Sequence, residues 1–381
     1  MAVGADVMII KMQYIRFLFW LVVICETNYI LGCSANHPLN PVSQKCQPVE
    51  HNTYVKSIRF SNDGKRLFSQ GDLDGQIIMW NLDAMSPAKV LVSPFQGSLV
   101  WGTTKSEFEI SPNGKLLAYA RGTDVYLYDY GIQRDVFVFR EETGSTDSIT
   151  FLSSGKYIAI SGNVWDIKER KKINEIITDV PWQISAIPQK EILVFGCNKT
   201  VALYDIHTKV EIQKIRVFTT EGHVGQALFT SDGKRGFALN EHGNLSYFNV
   251  DIGEVIKAFW PHQLWGQYKI GIEKIILDES RGRLYGVSMS YMHFYVSVFD
   301  LEKGDLQKVT KRALPIPMDR DPNAGQEILD AVLSPDGQTL AIAGEDCQIL
   351  LLDIETLETK GVLGKGCQVA PRSYRDSMKI N

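Results

Sequence analysis

The sequence has no excess of basic residues, and its N-terminal apolar run, Phe17–Cys25, is too short to cross a bilayer as a helix. Its 381 residues include 40 Lys and Arg against 44 Asp and Glu, giving a formal net charge of -4. A chain without a basic excess has little charge to neutralise a phosphate backbone, which argues against general nucleic-acid binding. The 44% hydrophobic content and 22% charged content are those of an ordinary globular protein with a substantial core.

Common catalytic motifs are also missing. The sequence contains no Gly-x-Ser-x-Gly, no His-Glu-x-x-His, no Cys-x-x-Cys and no phosphate-binding glycine loop. The seven His residues are scattered without the i, i+4 spacing of a helical metal site. We therefore expect a non-catalytic protein with no cofactor and no metal.

The N-terminus resembles an export signal. Lys11 and Arg16 precede the apolar run Phe17–Cys25, which has signal-peptide length. Further along, residues 30–33 read Ile-Leu-Gly-Cys. This segment resembles a bacterial lipobox, in which the cysteine, here Cys33, is acylated after cleavage. This resemblance implies a membrane-anchored lipoprotein of the cell envelope, and Ser34 after the cysteine favours the outer membrane.

Other outcomes at the N-terminus remain open. Cleavage after Ala35 would give a soluble exported protein, and an uncleaved segment from Phe17 to Cys33 would give an anchor. Translation from Met12 would shorten the signal peptide to ordinary proportions. On the favoured interpretation, residues 1–32 are the signal peptide and residues 33–50 carry the lipid site and a Pro-, Asn- and Ser-containing flexible tether.

The rest of the chain is dominated by a repeat. A short polar turn between two β-type runs recurs seven times, at SNDGK (61–65), SPNGK (111–115), SSGK (153–156), PQK (188–190), SDGK (231–234), SRGR (280–283) and SPDGQ (334–338). A dipeptide follows each turn in register: Trp80-Asn81, Tyr128-Asp129, Trp165-Asp166, Tyr204-Asp205, Phe248-Asn249, Phe299-Asp300 and Leu352-Asp353. The period of about 35 to 55 residues is close to that of a four-stranded propeller blade.

The repeats resemble WD repeats, from about His51 to Leu363. The opening copy, HNTYVKSIRFSNDG, carries the clearest landmarks. The pattern predicts an all-β fold, a seven-bladed β-propeller of four-stranded antiparallel blades over residues 51–364, followed by a tail over residues 365–381. In the first blade we predict strands at Val55 to Phe60, Arg66 to Ser69, Ile77 to Trp80 and Lys89 to Val92.

The resemblance also implies a structural role for four residues of the first repeat. In WD repeats a His, a Ser or Thr, a turn Asp and a Trp form a buried hydrogen-bond chain. His51, Ser69, Asp74 and Trp80 match those four positions. We therefore interpret Trp80 as a packing residue rather than a catalytic one.

Large aromatic residues recur in the connections between repeats. Trp101, Trp182 and Trp265 each precede the first strand of a repeat, and Tyr291 and His293 lie near a turn of the sixth. In a propeller these connections gather on one face, where aromatic side chains make anchors for a protein or peptide partner. The alternative is that each Trp fills the gap between adjacent blades.

The cysteines suggest a disulfide that joins the two ends of the repeat region. Cys46 and Cys367 flank the repeats, whose ends meet in a closed ring, so in an oxidising compartment we predict a disulfide between them. Two unpaired thiols are the alternative. Cys197 and Cys347, in the fourth and seventh repeats, are too far apart around the ring to bond with each other, and we expect both to be free.

Three functional classes follow from these patterns. The favoured one is a non-catalytic, membrane-tethered scaffold of the bacterial envelope that binds a protein or peptide on the aromatic-bearing face. The second is an enzyme or small-molecule binder that uses the central channel. The third is an envelope assembly factor, for which the argument is only architectural.

Overall fold

The computed structural model describes residues 50–51, 53–72, 75–94, 108–140, 148–175, 183–259, 271–290, 293–313, 328–344 and 347–365. These residues form seven four-stranded sheets, numbered here as blades 1 to 7. The strands of blades 1 to 3 are β1 Val55–Phe60, β2 Arg66–Gly71, β3 Ile77–Asn81, β4 Ser86–Val92; β5 Phe108–Ile110, β6 Leu116–Arg121, β7 Asp124–Asp129, β8 Arg134–Arg140; and β9 Ile149–Phe151, β10 Tyr157–Ile160, β11 Asn163–Asp166, β12 Lys171–Glu175.

The remaining blades follow the same plan. Their strands are β13 Gln183–Ala186, β14 Ile192–Gly196, β15 Thr200–Asp205, β16 Val210–Arg216; β17 Val224–Phe229, β18 Arg235–Asn240, β19 Leu245–Asn249, β20 Glu254–Phe259; β21 Lys274–Asp278, β22 Arg283–Ser290, β23 His293–Asp300, β24 Leu306–Ala313; and β25 Ile328–Leu333, β26 Thr339–Gly344, β27 Ile349–Asp353, β28 Thr359–Leu363. A short 3-10 turn, Glu279–Arg281, joins β21 to β22.

The blades are arranged in a ring. Each sheet is an antiparallel meander, and the first strand of every blade contacts the first strand of the next blade, including the last with the first. The prediction of an all-β, seven-bladed propeller with four-stranded antiparallel blades is confirmed. In blade 1 the second, third and fourth strands are longer than predicted, since they extend over Arg66–Gly71, Ile77–Asn81 and Ser86–Val92.

The apolar core lies between the blades. Among the described residues there are seven buried hydrophobic clusters, and each joins two neighbouring blades. A blade cannot cover both faces of its own sheet, so the repeated sequence supplies the neighbour that does. This explains why apolar side chains are present on both faces of the inner strands.

In the part of the chain that the structure describes, no strand is shared between the two ends of the ring. Within the described residues, blade 7 is built from β25 to β28 and blade 1 from β1 to β4. The seam is instead a buried cluster in which Ile58 and Trp80 of blade 1 pack with Ile349, Leu351 and Leu363 of blade 7. Side-chain packing and polar contacts therefore close the propeller.

The seven predicted dipeptides end the seven third strands. In each case the Asn or Asp side chain accepts hydrogen bonds from backbone N–H groups of the turn that follows, as Asp205 Oδ1 does from His207 and Thr208 at 2.8 and 2.9 Å. The other six are Asn81, Asp129, Asp166, Asn249, Asp300 and Asp353. The dipeptide thus places an aromatic or apolar residue in the blade and fixes the next turn.

Each of the seven polar turns directly follows the first strand of its blade, so all seven lie at the end of the ring where the first strands finish. We call this end the lower face and the other the upper face. The turns touch from blade to blade: Asn62 donates to the Pro112 carbonyl at 2.8 Å, Gln189 N to Ser153 Oγ at 2.9 Å, Ser231 N to the Glu279 carboxylate at 2.9 Å and Arg281 to the Gly337 carbonyl at 2.5 Å. The recurring motif is therefore an inter-blade contact as well as a turn.

Glycine is required in these lower-face turns for two reasons. Five of the turns place Gly at φ 66 to 68°, a left-handed conformation that other residues adopt at a cost. The preceding blade also approaches closely, because a Cβ at Gly233 would lie 2.7 Å from Ile187 Cγ2. The sequence pattern thus reflects both backbone conformation and packing.

Candidate functional site

The upper face carries a cavity beside the central channel. It has a volume of about 450 Å³ and lies where β17, β21 and β25 begin, between blades 5, 6 and 7. Its lining includes Gln226, Asn240, Glu241, Glu273 and Lys274, with Ile272, Ile328 and Leu329 as apolar wall. A concave site with apolar walls and a few polar groups is typical of a binding site.

Two of the polar side chains hold the blades together. Glu273 accepts from Met289 N at 3.0 Å and from Ile328 N at 2.8 Å, and so joins blade 6 to blade 7. Gln226 pairs its amide with both the N–H and the carbonyl of Ile275, each at 2.8 Å, and joins blade 5 to blade 6. These residues shape the cavity and have little capacity left for a ligand.

Asn240 and Glu241 are better placed to bind. Asn240 Oδ1 accepts from the backbone N–H groups of His242 and Asn244, but its buried Nδ2 has no hydrogen-bond partner. Glu241 Oε1 accepts from His223 N at 3.1 Å and lies 3.9 Å from His242 Nε2, and the side chain of Glu241 is 40% exposed. The cavity therefore offers an unused donor and a carboxylate that a basic group can reach.

The innermost strands are linked in the same way elsewhere in the ring. Ser148 of blade 3 contacts both the N–H and the carbonyl of Ile184 in blade 4, at 3.2 and 3.4 Å. Asp330 of blade 7 accepts from Ile58 N of blade 1 at 2.9 Å. A polar side chain of one blade thus forms hydrogen bonds with the unpaired backbone edge of the first strand in the neighbouring blade.

Arg59 joins three blades at once. Its Nη1 donates to Asp330 of blade 7 at 2.7 Å and its Nε to Glu109 of blade 2 at 3.2 Å. Desolvation lowers the pKa of Arg59, but the two carboxylates outweigh it and raise the pKa above its ordinary value. Burial raises the pKa of Glu109 despite the opposing effect of Arg59. Arg59 and Glu109 are each about one-third exposed, so solvent screens the pair.

The predicted aromatic anchors fall largely outside the described residues. Trp101, Trp182, Trp265 and Tyr291 all lie there. His293 is described, as the first residue of β23, where it is partly buried and pairs with Ser290. The proposed aromatic face therefore stays a prediction.

Three members of the predicted hydrogen-bond chain are brought together. Trp80 Nε1 donates to Ser69 Oγ at 2.7 Å, and His51 Nε2 lies 2.7 Å from the same oxygen. Asp74 lies outside the described residues. Because His51 is buried, desolvation lowers its pKa from 6.5 to about 3, so the imidazole is neutral in the folded protein.

One expectation about the cysteines is wrong. Cys347 is disulfide-bonded, whereas we expected a thiol; Cys197 forms no disulfide, as expected. Position around the ring was the wrong guide, because Cys347 lies next to the end of the last strand. A Cβ at Gly364, just beyond that strand, would lie 3.0 Å from the Cys347 carbonyl oxygen. Cys33, Cys46 and Cys367 lie outside the described residues.

Two negative observations concern the described ranges alone. No group of three or more His, Cys, Asp or Glu side chains is arranged there to hold a metal ion. None of the same residues forms a helix with the length and apolarity to span a membrane.

The sequence patterns missed the residues that line the cavity and link the inner strands. A signal was present, because Glu109, Gln226 and Asp330 are polar residues within otherwise apolar first strands, and Arg59 lies between Ile58 and Phe60 of β1. Such residues require a partner when a neighbouring blade covers them. The sequence does not say which partner.

Comparison with known protein families gives a match in the first blade. The family described as WD40, "WD domain, G-beta repeat", matches residues 44–81, the segment that contains the first three strands of blade 1. No curated protein matches the sequence. The match and the seven-bladed fold suggest a protein-interaction scaffold, since WD40 propellers commonly bind proteins.

Proposed function

We propose that this protein is a non-catalytic scaffold, tethered to the bacterial cell envelope, that binds a partner protein or peptide on its upper face. The observation that carries the proposal is the cavity between blades 5, 6 and 7. It lies on the face where the strands that follow Trp101, Trp182 and Trp265 begin. Aromatic anchors around a shallow cavity are typical of a protein-binding surface.

The free groups of the cavity indicate what the partner presents. Glu241 attracts a Lys or Arg side chain, and Asn240 Nδ2 donates to a carbonyl oxygen. A basic residue within an extended segment supplies both groups. We therefore propose a basic peptide segment of a protein as the ligand of this face.

The tether rests on the lipobox-like motif at Cys33 and on the disulfide of Cys347. Disulfide bonds persist in oxidising compartments outside the cytosol, which supports export of the chain. An anchor at Cys33 followed by a flexible segment would hold the propeller near the membrane surface.

Binding is tested by recovery of partners from detergent-solubilised membranes. Glu241→Lys reverses the charge of the cavity, and Glu302→Lys is the matched change on the exposed lower face. We expect recovery of a stoichiometric partner to fall roughly tenfold with Glu241→Lys and to stay at the wild-type level with Glu302→Lys. Equal recovery with both variants would contradict the assignment of the face.

The tether is tested separately by membrane fractionation. Cys33→Ala should release the protein from membranes or leave an unprocessed precursor, while Cys197→Ala should fractionate and migrate like the wild type. If Cys33→Ala also behaves like the wild type, the lipoprotein proposal is wrong. This result would leave the binding proposal standing, because the two experiments are independent.

A further inference from the structure

A second cavity lies at the outer rim, between blades 6 and 7. It has a volume of about 200 Å³, and we call it the rim pocket. Arg283, Tyr285, Val296 and Val298 of blade 6 form one side, and the turn from Ile354 to Leu357 of blade 7 forms the other. The pocket is smaller than the roughly 300–1,000 Å³ of most small-molecule sites, so it suits a single side chain or a short acid.

The phenol of Tyr285 is the unusual feature of this pocket. Tyr285 is 1% exposed, and its hydroxyl hydrogen has no acceptor among the described residues. Arg283 influences the phenol oxygen both as a hydrogen-bond donor and through its charge, but a guanidinium cannot accept the phenol hydrogen. A buried hydroxyl hydrogen without an acceptor is costly to retain, which points to an acceptor that the chain itself does not supply.

Burial determines the direction in which this hydroxyl bonds. Desolvation raises the pKa of Tyr285, although Arg283 opposes the shift, so the phenol remains protonated at neutral pH. A protonated phenol donates its hydrogen to an oxygen acceptor. Arg283, Asp278 and Glu355 influence the phenol, and of these Arg283 and Glu355 line the pocket together with Tyr285 itself.

The charges around the pocket favour an anion. Arg283 Nη1 pairs with Glu355 Oε1 at 2.6 Å, while the ammonium of Lys308 makes no ion pair with any residue that the structure describes. The lining therefore carries one positive charge beyond those that are paired. Val296, Val298 and Leu357 add an apolar wall that suits a hydrocarbon stem.

We propose that the rim pocket binds a carboxylate on a short aliphatic stem, with Tyr285 donating to one carboxylate oxygen and Lys308 neutralising the charge. The ligand is either a free short-chain acid or the acidic side chain of a peptide, because both offer the same group. The rim pocket is distinct from the upper-face cavity, and the proposal that it binds a carboxylate does not depend on the proposed scaffold function.

The direct test is methyl NMR of the full chain labelled at Val and Leu methyl groups. Titration with sodium pentanoate should shift the methyls of Val296, Val298 and Leu357 in a saturable manner, while 1-pentanol, which has the stem without the charge, should not. The peptides acetyl-Gly-Glu-Gly-amide and acetyl-Gly-Gln-Gly-amide form the second arm. Saturation by pentanoate alone identifies a free acid as the source, and saturation by the Glu peptide identifies a protein.

Two variants separate binding from folding. Tyr285→Phe removes only the hydroxyl, so we expect an unchanged or raised Tm and a roughly tenfold loss of pentanoate affinity. Lys308→Gln should also weaken binding, whereas Lys303→Gln, in the exposed turn of the same blade, should not. The proposal is overturned if neither carboxylate gives saturable shifts, if pentanol matches pentanoate, or if Tyr285→Phe binds like the wild type.

Discussion

Arg59 Nη1 lies 2.7 Å from Asp330 Oδ2 and joins the first strand of blade 1 to the first strand of blade 7, although 271 residues separate them in the chain. The same carboxylate accepts from Ile58 N at 2.9 Å and from Ser57 Oγ at 3.3 Å. Since the described residues place no shared strand across this seam, Asp330 is the principal polar link that closes the ring.

Asp330→Ala should therefore weaken the seam. It leaves Ile58 N and Arg59 without their acceptor, and we expect a loss of about 2 kcal/mol in the free energy of unfolding. Hydrogen exchange should rise first in β1 and β25. Asp305→Ala, which removes an exposed ion pair with Lys257, is the control and should cost less than about 0.5 kcal/mol. Equal losses in the two variants would show that the seam does not depend on Asp330.

Gly233, in a turn of the lower face, has a matched control in Gly122, which lies in the turn between β6 and β7. Gly233 and Gly122 have nearly the same φ, 66 and 67°, but only Gly233 is crowded by the preceding blade. Gly122→Ala should cost about 1 kcal/mol for the left-handed conformation alone. Gly233→Ala should cost a further 1–3 kcal/mol, roughly, because its Cβ would overlap Ile187. Chemical denaturation measures the loss in free energy of unfolding for both variants. Equal losses would show that the turn at Gly233 does not pack against the preceding blade.

Protonation of His51 links stability to pH. The folded pKa is about 3 and the unfolded value is 6.5, so the unfolded chain binds a proton that the folded chain does not between those pH values. The stability from neutral His51 is full above pH 6.5 and falls as the pH drops, by about 2 kcal/mol between pH 7 and pH 5.

The His51 prediction is checked by denaturation at several pH values. His51→Gln should lose this component of the pH dependence. Ser69→Ala, which disrupts the same hydrogen-bond chain without removing the titrating group, should keep it. The same slope in His51→Gln and in the wild type would contradict the assignment.

The cysteines can be resolved by peptide mapping without reduction. We expect Cys347 in a disulfide-linked peptide and Cys197 as an alkylatable thiol. The predicted Cys46–Cys367 bond requires that Cys347 be joined to neither of those two, so a Cys347 peptide linked to Cys46 or Cys367 rules it out. Recovery of Cys347 as a free thiol would contradict the structure at this position.

The sequence predicted the scaffold well because the scaffold is local and repeated. Each turn, such as 61–65, and each dipeptide, such as Trp80-Asn81, determines its own few residues, and seven copies in register identify the ring. The polar links were not predictable in this way. Arg59 and Asp330 meet only because the ring closes, and Tyr285 resembles any other core residue until the pocket beside it is known.

The cysteine error has the same origin. We judged Cys347 by its position around the ring, where Cys197 is distant. Its immediate neighbourhood is the end of the last strand, since Gln348 Nε2 donates to the Gly364 carbonyl at 3.3 Å. Contacts between a turn and a chain end depend on how the final blade terminates, which a repeat pattern does not encode.

Site-specific photocrosslinking in intact cells tests the scaffold proposal most directly. A photoreactive benzoyl-phenylalanine is placed at Glu241 on the upper face or at Glu302 on the lower face, both exposed positions beside a cavity. We predict a discrete crosslinked protein from the Glu241 position and none from the Glu302 position. Crosslinking from the lower face alone, equal crosslinking from both positions, or none from either would contradict a partner-binding upper face.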